Sequence, residues 1–169
     1  KSSKKLENKL DEKWEKARKI LSERLGKEIK IEKLGDICEF LSKSKRKASY
    51  GKDNGKYPFF TSSQTCSKFC DNYDYENECL IIGTGGNANI KYSDKFSCST
   101  DNIVLEINKP NLSNYIFYYL LHNIDILKNG FKGVGIKHIS KDFIKNIKIP
   151  IPSLEQQEEI VVCMKRQAH

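Results

Sequence analysis

The stretch Asn146 to Ile160, NIKIPIPSLEQQEEI, constrains this chain more than any other. Ile147, Ile149 and Ile151 recur at every second position. That period is the mark of a half-buried strand. Pro150 and Pro152 have no amide hydrogen, so they withhold ladder bonds and should stop the strand. Ser153 follows, with Gln156 three residues on. This is a capping box, in which the Ser side chain accepts from an amide of the first turn and the Gln side chain reaches back. A strand, a two-proline hinge and a capped helix are therefore expected in succession. The sequence ends at His169 soon after that helix begins, so we expect a connector helix whose partner lies outside the chain.

Upstream, Lys4 to Leu25 reads as a helix. Leu10, Trp14, Ala17 and Leu21 fall at spacings of four, three and four, Leu6 and Leu25 extend the stripe, and Gly26 suits the C′ position. A single apolar stripe on a highly charged helix calls for another helix to lie against, or for the chain's own globular body. Ile29 and Ile31 alternate with charges, and Leu34 to Ile37 makes a turn or short helix. Lys43 to Lys56 is basic, contains two glycines and has no apolar period, so it reads as an exposed loop. Tyr57 to Thr61 has strand character, Ser62 to Glu78 is irregular, and Cys79 to Ile82 is a short apolar run of the fully buried strand type. A glycine loop, Gly83 to Asn89, breaks off that run. Strands are expected at Ile90–Tyr92, Phe96–Cys98 and Ile103–Ile107. Ser113 then caps a helix whose broad apolar face is Ile116, Phe117, Leu120, Leu121, Ile124 and Leu127. Asn129 to His138 is a second glycine-rich basic loop, and Ser140 caps a short helix leading into the opening stretch. The expected fold class is α+β, a mostly β body with one main helix between two connector helices. The boundaries expected are 1–26 for the first connector, 27–152 for the body and 153–169 for the second connector.

A net charge of +8 suggests a polyanionic partner, nucleic acid by default, against the plainer reading of a lysine-rich surface. No apolar run approaches the roughly 20 residues that span a bilayer, no signal peptide is visible and the first residue is not Met. A cytoplasmic fragment or processed chain is expected, with no membrane partner. Cys66, Cys70, Cys79 and Cys98 can be drawn as a zinc set, but there is no Cys-x-x-Cys pair and the gaps are irregular. Reduced and partly buried thiols fit better, so neither metal nor cofactor is expected.

The Gly83 loop lacks the Lys-Ser/Thr of a phosphate-binding loop and runs into a strand, not a helix N-terminus. It offers Thr84, Asn87, Asn89 and Lys91 for hydrogen bonding. Asn suits an adenine edge and Lys a guanine edge or a phosphate. A plain tight turn is the competing reading. The first basic loop offers Lys43, Lys45, Arg46, Lys47 and Lys52, although such runs are often only solvated. The second offers Lys132, Lys137 and His138 beside three glycines, which would allow close approach to a nucleic-acid backbone. His122, His138 and His169 stand in unrelated contexts. No nucleophile elbow, zinc-hydrolase helix or nuclease carboxylate cluster is present, so no catalytic residue is expected.

Leu34-Gly35-Asp36-Ile37, IIGTGGNANI, GVGIKHISKDFIKNIKIPIP and PSLEQQEEIV together resemble the DNA-specificity subunit of type I restriction–modification systems. The resemblance runs from about Ile29 to Val162 and is most specific in IPIPSLEQQEEI. It corresponds to one target recognition domain with its flanking helices. It implies a non-catalytic module that reads double-stranded DNA through loops in the major groove. It also implies helices that form an antiparallel coiled coil and dock a methyltransferase subunit and a nuclease subunit. On this sequence Leu154, Ile160, Val161 and Met164 would then face the Leu10, Trp14, Ala17 and Leu21 stripe of the same or another chain. A full subunit of that family has two recognition domains and this chain has room for one. It therefore reads as half of a longer polypeptide, a half-subunit that forms a homodimer, or part of a methylase fusion. The alternative function is a scaffold or adaptor that docks a methyltransferase through its helices without reading DNA.

Overall fold

The fold is taken from a computed structural model, which describes residues 29–167 and scattered positions between 4 and 23. Those scattered positions are helical. Leu10, Trp14, Ala17 and Leu21, with Leu6, Leu25, Gly26 and His169, lie outside the described residues.

The organising element is strand β5, Cys79–Gly83, every residue of which is buried. Successive side chains of a strand point to opposite faces. Leu80 and Ile82 accordingly enter one core, and Cys79 and Ile81 enter another. The run is therefore apolar at every position and not only at alternate ones, because a layer lies on each side. β5 is an inner strand of a four-stranded antiparallel sheet in the order β2–β8–β5–β6, with β2 at Glu39–Phe40, β6 at Ile90–Ser93 and β8 at Asn102–Glu106. β8 repeats the division: Leu105 joins the first core and Val104 the second.

Over one face lies α2, Pro110–His122, which buries Leu112, Tyr115, Ile116 and Leu120. The expected cap at Ser113 is corrected: the helix begins at Pro110, and Ser113 is buried within its first turn. Proline suits a first-turn position because its missing amide would have no partner there. The expected apolar face also divides, since Leu127 belongs to a separate short helix, α3, Asp125–Lys128. Over the other face lies a three-stranded sheet, β4–β3–β7, formed by β3 Tyr57–Phe60, β4 Lys68–Cys70 and β7 Ser97–Cys98. β4 falls inside the segment expected to be irregular. The second core holds Phe60, Tyr75, Phe96 and Cys98, with Tyr75 and Phe96 stacked at 5.0 Å. Buried Cys70, Cys79 and Cys98 are free thiols.

β1, Lys30–Lys33, runs into the short helix α1, Leu34–Ile37, and pairs with β9, Lys148–Ile151, in a separate two-stranded sheet. Pro150 lies inside β9, opposite Ile31, and does not end it. The Leu34 amide donates to Ile147 O at 2.8 Å, so that pair is hydrogen-bonded. Antiparallel pairs alternate in kind. Pro150 therefore falls on a non-bonded pair, where the amide it lacks would have pointed away from β1. Its own carbonyl accepts from Tyr115 OH at 2.7 Å, which ties the hinge to α2. Helix α4, Lys141–Lys145, is capped by Ser140, whose Oγ accepts from the Phe143 amide at 3.1 Å.

The final helix, α5, Leu154–Gln167, has the expected capping box: the Gln156 amide donates to Ser153 Oγ at 3.3 Å, and the Ser153 amide to Gln156 Oε1 at 3.2 Å. Gln157 is buried and donates to Pro152 O at 2.9 Å. α5 packs on α2 and sends Val161 into the first core. Val161 is thus corrected as a residue facing a partner, since the domain's own core encloses it. Ile160 and Met164 are half-buried, and Leu154 is exposed.

The hinge and cap make a direct test. Ser153→Ala removes one half of the capping box and should lower stability by about 1 kcal/mol, read as a shift in the urea midpoint at unchanged slope. A variant as stable as the parent would mean that packing on α2 alone sets the start of α5.

Candidate nucleic-acid interface

Gly83 ends β5 where the chain cannot accept a side chain: an added Cβ would lie 2.5 Å from Ser62 O and 2.7 Å from Asn89 Nδ2. This close approach lets five strand ends converge. The ends of β3, β5 and β7 and the starts of β6 and β8 meet around one buried polar cluster.

Lys91 sits at its centre, 5% exposed. Its Nζ donates to Asn89 Oδ1 at 2.6 Å, Thr61 O at 3.1 Å and Asn102 Oδ1 at 3.3 Å. Asn89 Nδ2 donates to Ser62 O at 2.5 Å and Asn87 O at 2.8 Å, and Asn89 Oδ1 also accepts from the Gly83 amide at 3.3 Å. Asn102 Nδ2 donates to Ser99 O and Ser99 Oγ, each at 3.2 Å. Ser99 Oγ in turn donates to the Asp101 carboxylate. Asn89 and Lys91 are therefore corrected as base-reading candidates. Their polar atoms are committed inside the domain, where they hold the loops in place. The register explains why: Lys91 lies opposite Ile81, on the face of β6 that turns toward the second core. At this register position the second layer covers β6, so the lysine is enclosed. Burial pushes the Lys91 ammonium down to about 8.

Around this cluster the three loops singled out in the sequence are joined by backbone hydrogen bonds. The Thr100 amide donates to Arg46 O at 3.0 Å, the Thr84 amide to Asp101 O at 2.9 Å and the Ile139 amide to Thr84 O at 3.1 Å. Gly85 and His138 form a further bridge. The Lys43 loop, the Gly83 loop and the Asn129–His138 loop thus share one end of the sheets, with the Ser99–Asn102 turn as the link. That turn, and Thr61 to Gln64 beside it, were missed as parts of the site. Their only sequence signal is a run of small polar residues after each strand.

At the start of the first loop, Ser42 and Ser44 alternate with Lys43 and Lys45, and Arg46 and Lys47 follow. Tyr75 OH donates to Ser42 O at 2.6 Å, and buried Ser44 donates through Oγ to Cys98 O at 2.6 Å. Lys43, Lys45 and Lys47 consequently point out and are exposed. The loop borders an open depression of about 720 Å³ that Arg46, Tyr50 and Asp74 also line. Arg46 is held: its guanidinium donates to Asp74 at 2.6 and 2.9 Å and lies 4.1 Å over the Tyr50 ring. That pairing keeps the Asp74 carboxyl below its ordinary range. Lys52 stands apart. It bridges to Phe69 on β4 and pairs with Asp71 at 2.6 Å. Asn87, Lys132, Lys137 and His138 are exposed, and Thr84 is partly exposed. Among the described residues, Lys43, Lys45, Lys47, Lys132 and Lys137 are in no ion pair.

Residues 26–167 match the protein family described as type I restriction modification DNA specificity domain. The chain belongs to this family. Similar proteins include the type I restriction enzyme MjaVIII specificity subunit of Methanocaldococcus jannaschii, 28% identical over 149 residues, which cover 81% of this chain and 35% of that subunit. The EcoDI specificity subunit of Escherichia coli is 28% identical over 131 residues, 76% of this chain and 28% of that subunit. The chain therefore spans about a third of the length of those relatives. Its fold resembles the crystal structure of the type I restriction–modification S subunit from M. genitalium, with TM-score 0.69 at 18% identity over 80% of this chain and 37% of that one. It also resembles the HsdS subunit of Thermoanaerobacter tengcongensis, with TM-score 0.56 at 18% identity over 82% of this chain and 37% of that one. Among the described residues, no helix is long and apolar enough to cross a membrane.

The polar cluster yields a signed pH prediction. The Lys91 pKa is lowered in the folded state, so between about pH 8 and the unfolded value of 10.5 the unfolded chain binds more protons and the Lys91 contribution to stability rises with pH. Below pH 8 both states are charged and the cost of burying the ammonium is fully present. Burial pushes the Cys79 and Cys98 thiols up to about 12, which opposes the trend above the ordinary thiol value of about 9. The clean window is therefore pH 8 to 9. Lys91→Met should lose about 1–3 kcal/mol at pH 7, because buried oxygens lose their donor. It should also lack the parent's rise in denaturation midpoint across that window. Parallel midpoint curves for the two proteins would refute the assignment.

Proposed function

We propose that residues 27–152 read a DNA sequence through the three joined loops, and that residues 1–26 and 153–169 connect this reader to the rest of a restriction–modification assembly. The observation that carries the reading is the backbone-bonded union of Lys43–Lys47, Gly83–Asn89 and Lys132–His138 at one end of the sheets, in a chain of the DNA specificity family. A rigid base with exposed polar and basic tips suits the division of labour at protein–DNA interfaces. Cations on phosphates set position and affinity, and side chains on base edges set sequence. Lys43, Lys45, Lys47, Lys132 and Lys137 take the first role, and Thr84, Asn87 and His138 the second. Arg46 and Lys52, each already paired, contribute less.

On this reading the module has no catalytic centre of its own and directs a methyltransferase subunit, and through it a nuclease subunit, to the site. Leu154, Ile160 and Met164 of α5, with the Leu10, Trp14, Ala17 and Leu21 stripe, serve the connector helices. Support on α5 comes from two exposed apolar residues: Leu154 is 57% exposed and Val162 52% exposed. The second recognition half comes from another domain of the same polypeptide or from a second copy.

Selection of bound sequences from a random duplex pool tests the proposal. A defined sequence should emerge, and its affinity should fall steeply between about 50 and 200 mM salt. Lys132→Ala with Lys137→Ala should weaken all sequences alike and reduce the salt slope by about 1 for each phosphate no longer neutralised. Asn87→Ala should instead relax one base position at about 1–3 kcal/mol. A pool that shows no enrichment, together with retained binding to a methyltransferase subunit, would select the adaptor function in its place.

A further inference from the structure

The Asn129–His138 loop carries a feature that its lysines do not account for. Phe131 packs against the first core and Ile139 is buried, so the loop is anchored at both ends. Between them, Lys132 and His138 exchange backbone hydrogen bonds at 2.9 and 3.0 Å, which closes a narrow ribbon. The tip beyond that bridge reads Gly133-Val134-Gly135-Ile136-Lys137. Val134 is fully exposed and Ile136 is 74% exposed. Gly133 has φ +142° and Gly135 φ +84°, backbone that L side chains rarely adopt. Two glycines in these conformations interleave with two β-branched aliphatic residues, and both aliphatics project from a ribbon held against the Gly83 loop.

We propose that Val134 and Ile136 are a sequence-determining element that contacts the C5-methyl group of thymine in the major groove. The inference rests on the DNA-reading function proposed above. Three observations select this occupant. The tip lies between two exposed lysines, Lys132 and Lys137, so a polyanion is the surface it meets first. Neither aliphatic side chain can donate or accept a hydrogen bond, so neither can read the donor and acceptor pattern of a base. The thymine methyl is the apolar group that base pairs display in the major groove, and that groove admits a two-stranded ribbon. A partner protein is the competing occupant, and the lysines on both sides of the tip argue against an apolar protein groove.

The test uses the full chain and the duplex it selects from a random pool. Each thymine is replaced singly by uracil, which removes only the methyl group. The parent should lose about four-fold in affinity at one or two of these positions, the loss expected for one buried methyl. Val134→Ser with Ile136→Ser should bind the selected duplex more weakly and be indifferent to uracil at those positions. Both residues are exposed, so the double variant should denature at the same midpoint as the parent. The proposal is overturned if the parent is indifferent to uracil throughout, if the selected duplex lacks thymine, or if the double variant binds DNA as the parent does. It is equally overturned if the double variant loses only its affinity for a methyltransferase subunit. In each of those cases the parent still binds its selected sequence, so DNA reading stands and only the role of the tip falls. If the parent selects no sequence, both fall.

Discussion

Burial of β5 on both faces is the constraint on which the rest of the domain depends. A strand enclosed by one layer needs apolar residues at every second position. Cys79, Leu80, Ile81 and Ile82 are apolar without a break, and each face has its own core. This divides the chain into three layers, with α2 on one side of the four-stranded sheet and the β4–β3–β7 sheet on the other. It also decides the fate of the neighbouring strand. Lys91 on β6 lies opposite Ile81, on the face that turns toward the second core, and is enclosed there.

A buried ammonium is costly unless its protons are satisfied. Here three oxygens satisfy them, and those oxygens belong to the chain ends that carry the loops: Thr61 after β3, Asn89 before β6 and Asn102 at the start of β8. The same group that destabilises the interior by its charge therefore fixes the loops relative to one another. Without such a base, glycine-rich segments such as Gly83–Asn89 would sample many conformations, and ordering them on a ligand would cost entropy. The cluster moves that cost into folding.

The second half of the architecture is the handover from body to helix at Pro150–Ser153. Tyr115 holds Pro150 from α2, Gln157 holds Pro152 from within α5, and the capping box closes the first turn. These bonds set the direction in which α5 leaves the sheet. Val161 then packs the helix against α2. α5 is thus continuous with the core.

Much of this was legible in the sequence because it depends on local rules. The fully buried strand, the main helix, the caps at Ser140 and Ser153 and the exposed basic loops all follow from periodicity, proline and glycine chemistry, and hydrogen-bonding side chains close in sequence. Two local readings failed, the cap at Ser113 and the irregular stretch that holds β4; the other failures were statements that needed a neighbour. Pro150 stayed in its strand because pairing with β1 put it on a non-bonded position, and Val161 turned inward because α2 lay beneath it. Asn89 and Lys91 became struts because the polar ends of β3 and β8 came within hydrogen-bonding distance, across 27 residues from Asn89 to Ser62 and 11 from Lys91 to Asn102. The sequence by itself determined the fully buried strand, the basic character of the loops and the capped starts of the last two helices. Only the tertiary structure decided which polar side chains face solvent and which are enclosed. That choice depends on which surfaces come together, and partners far apart in the chain have no signature in local sequence.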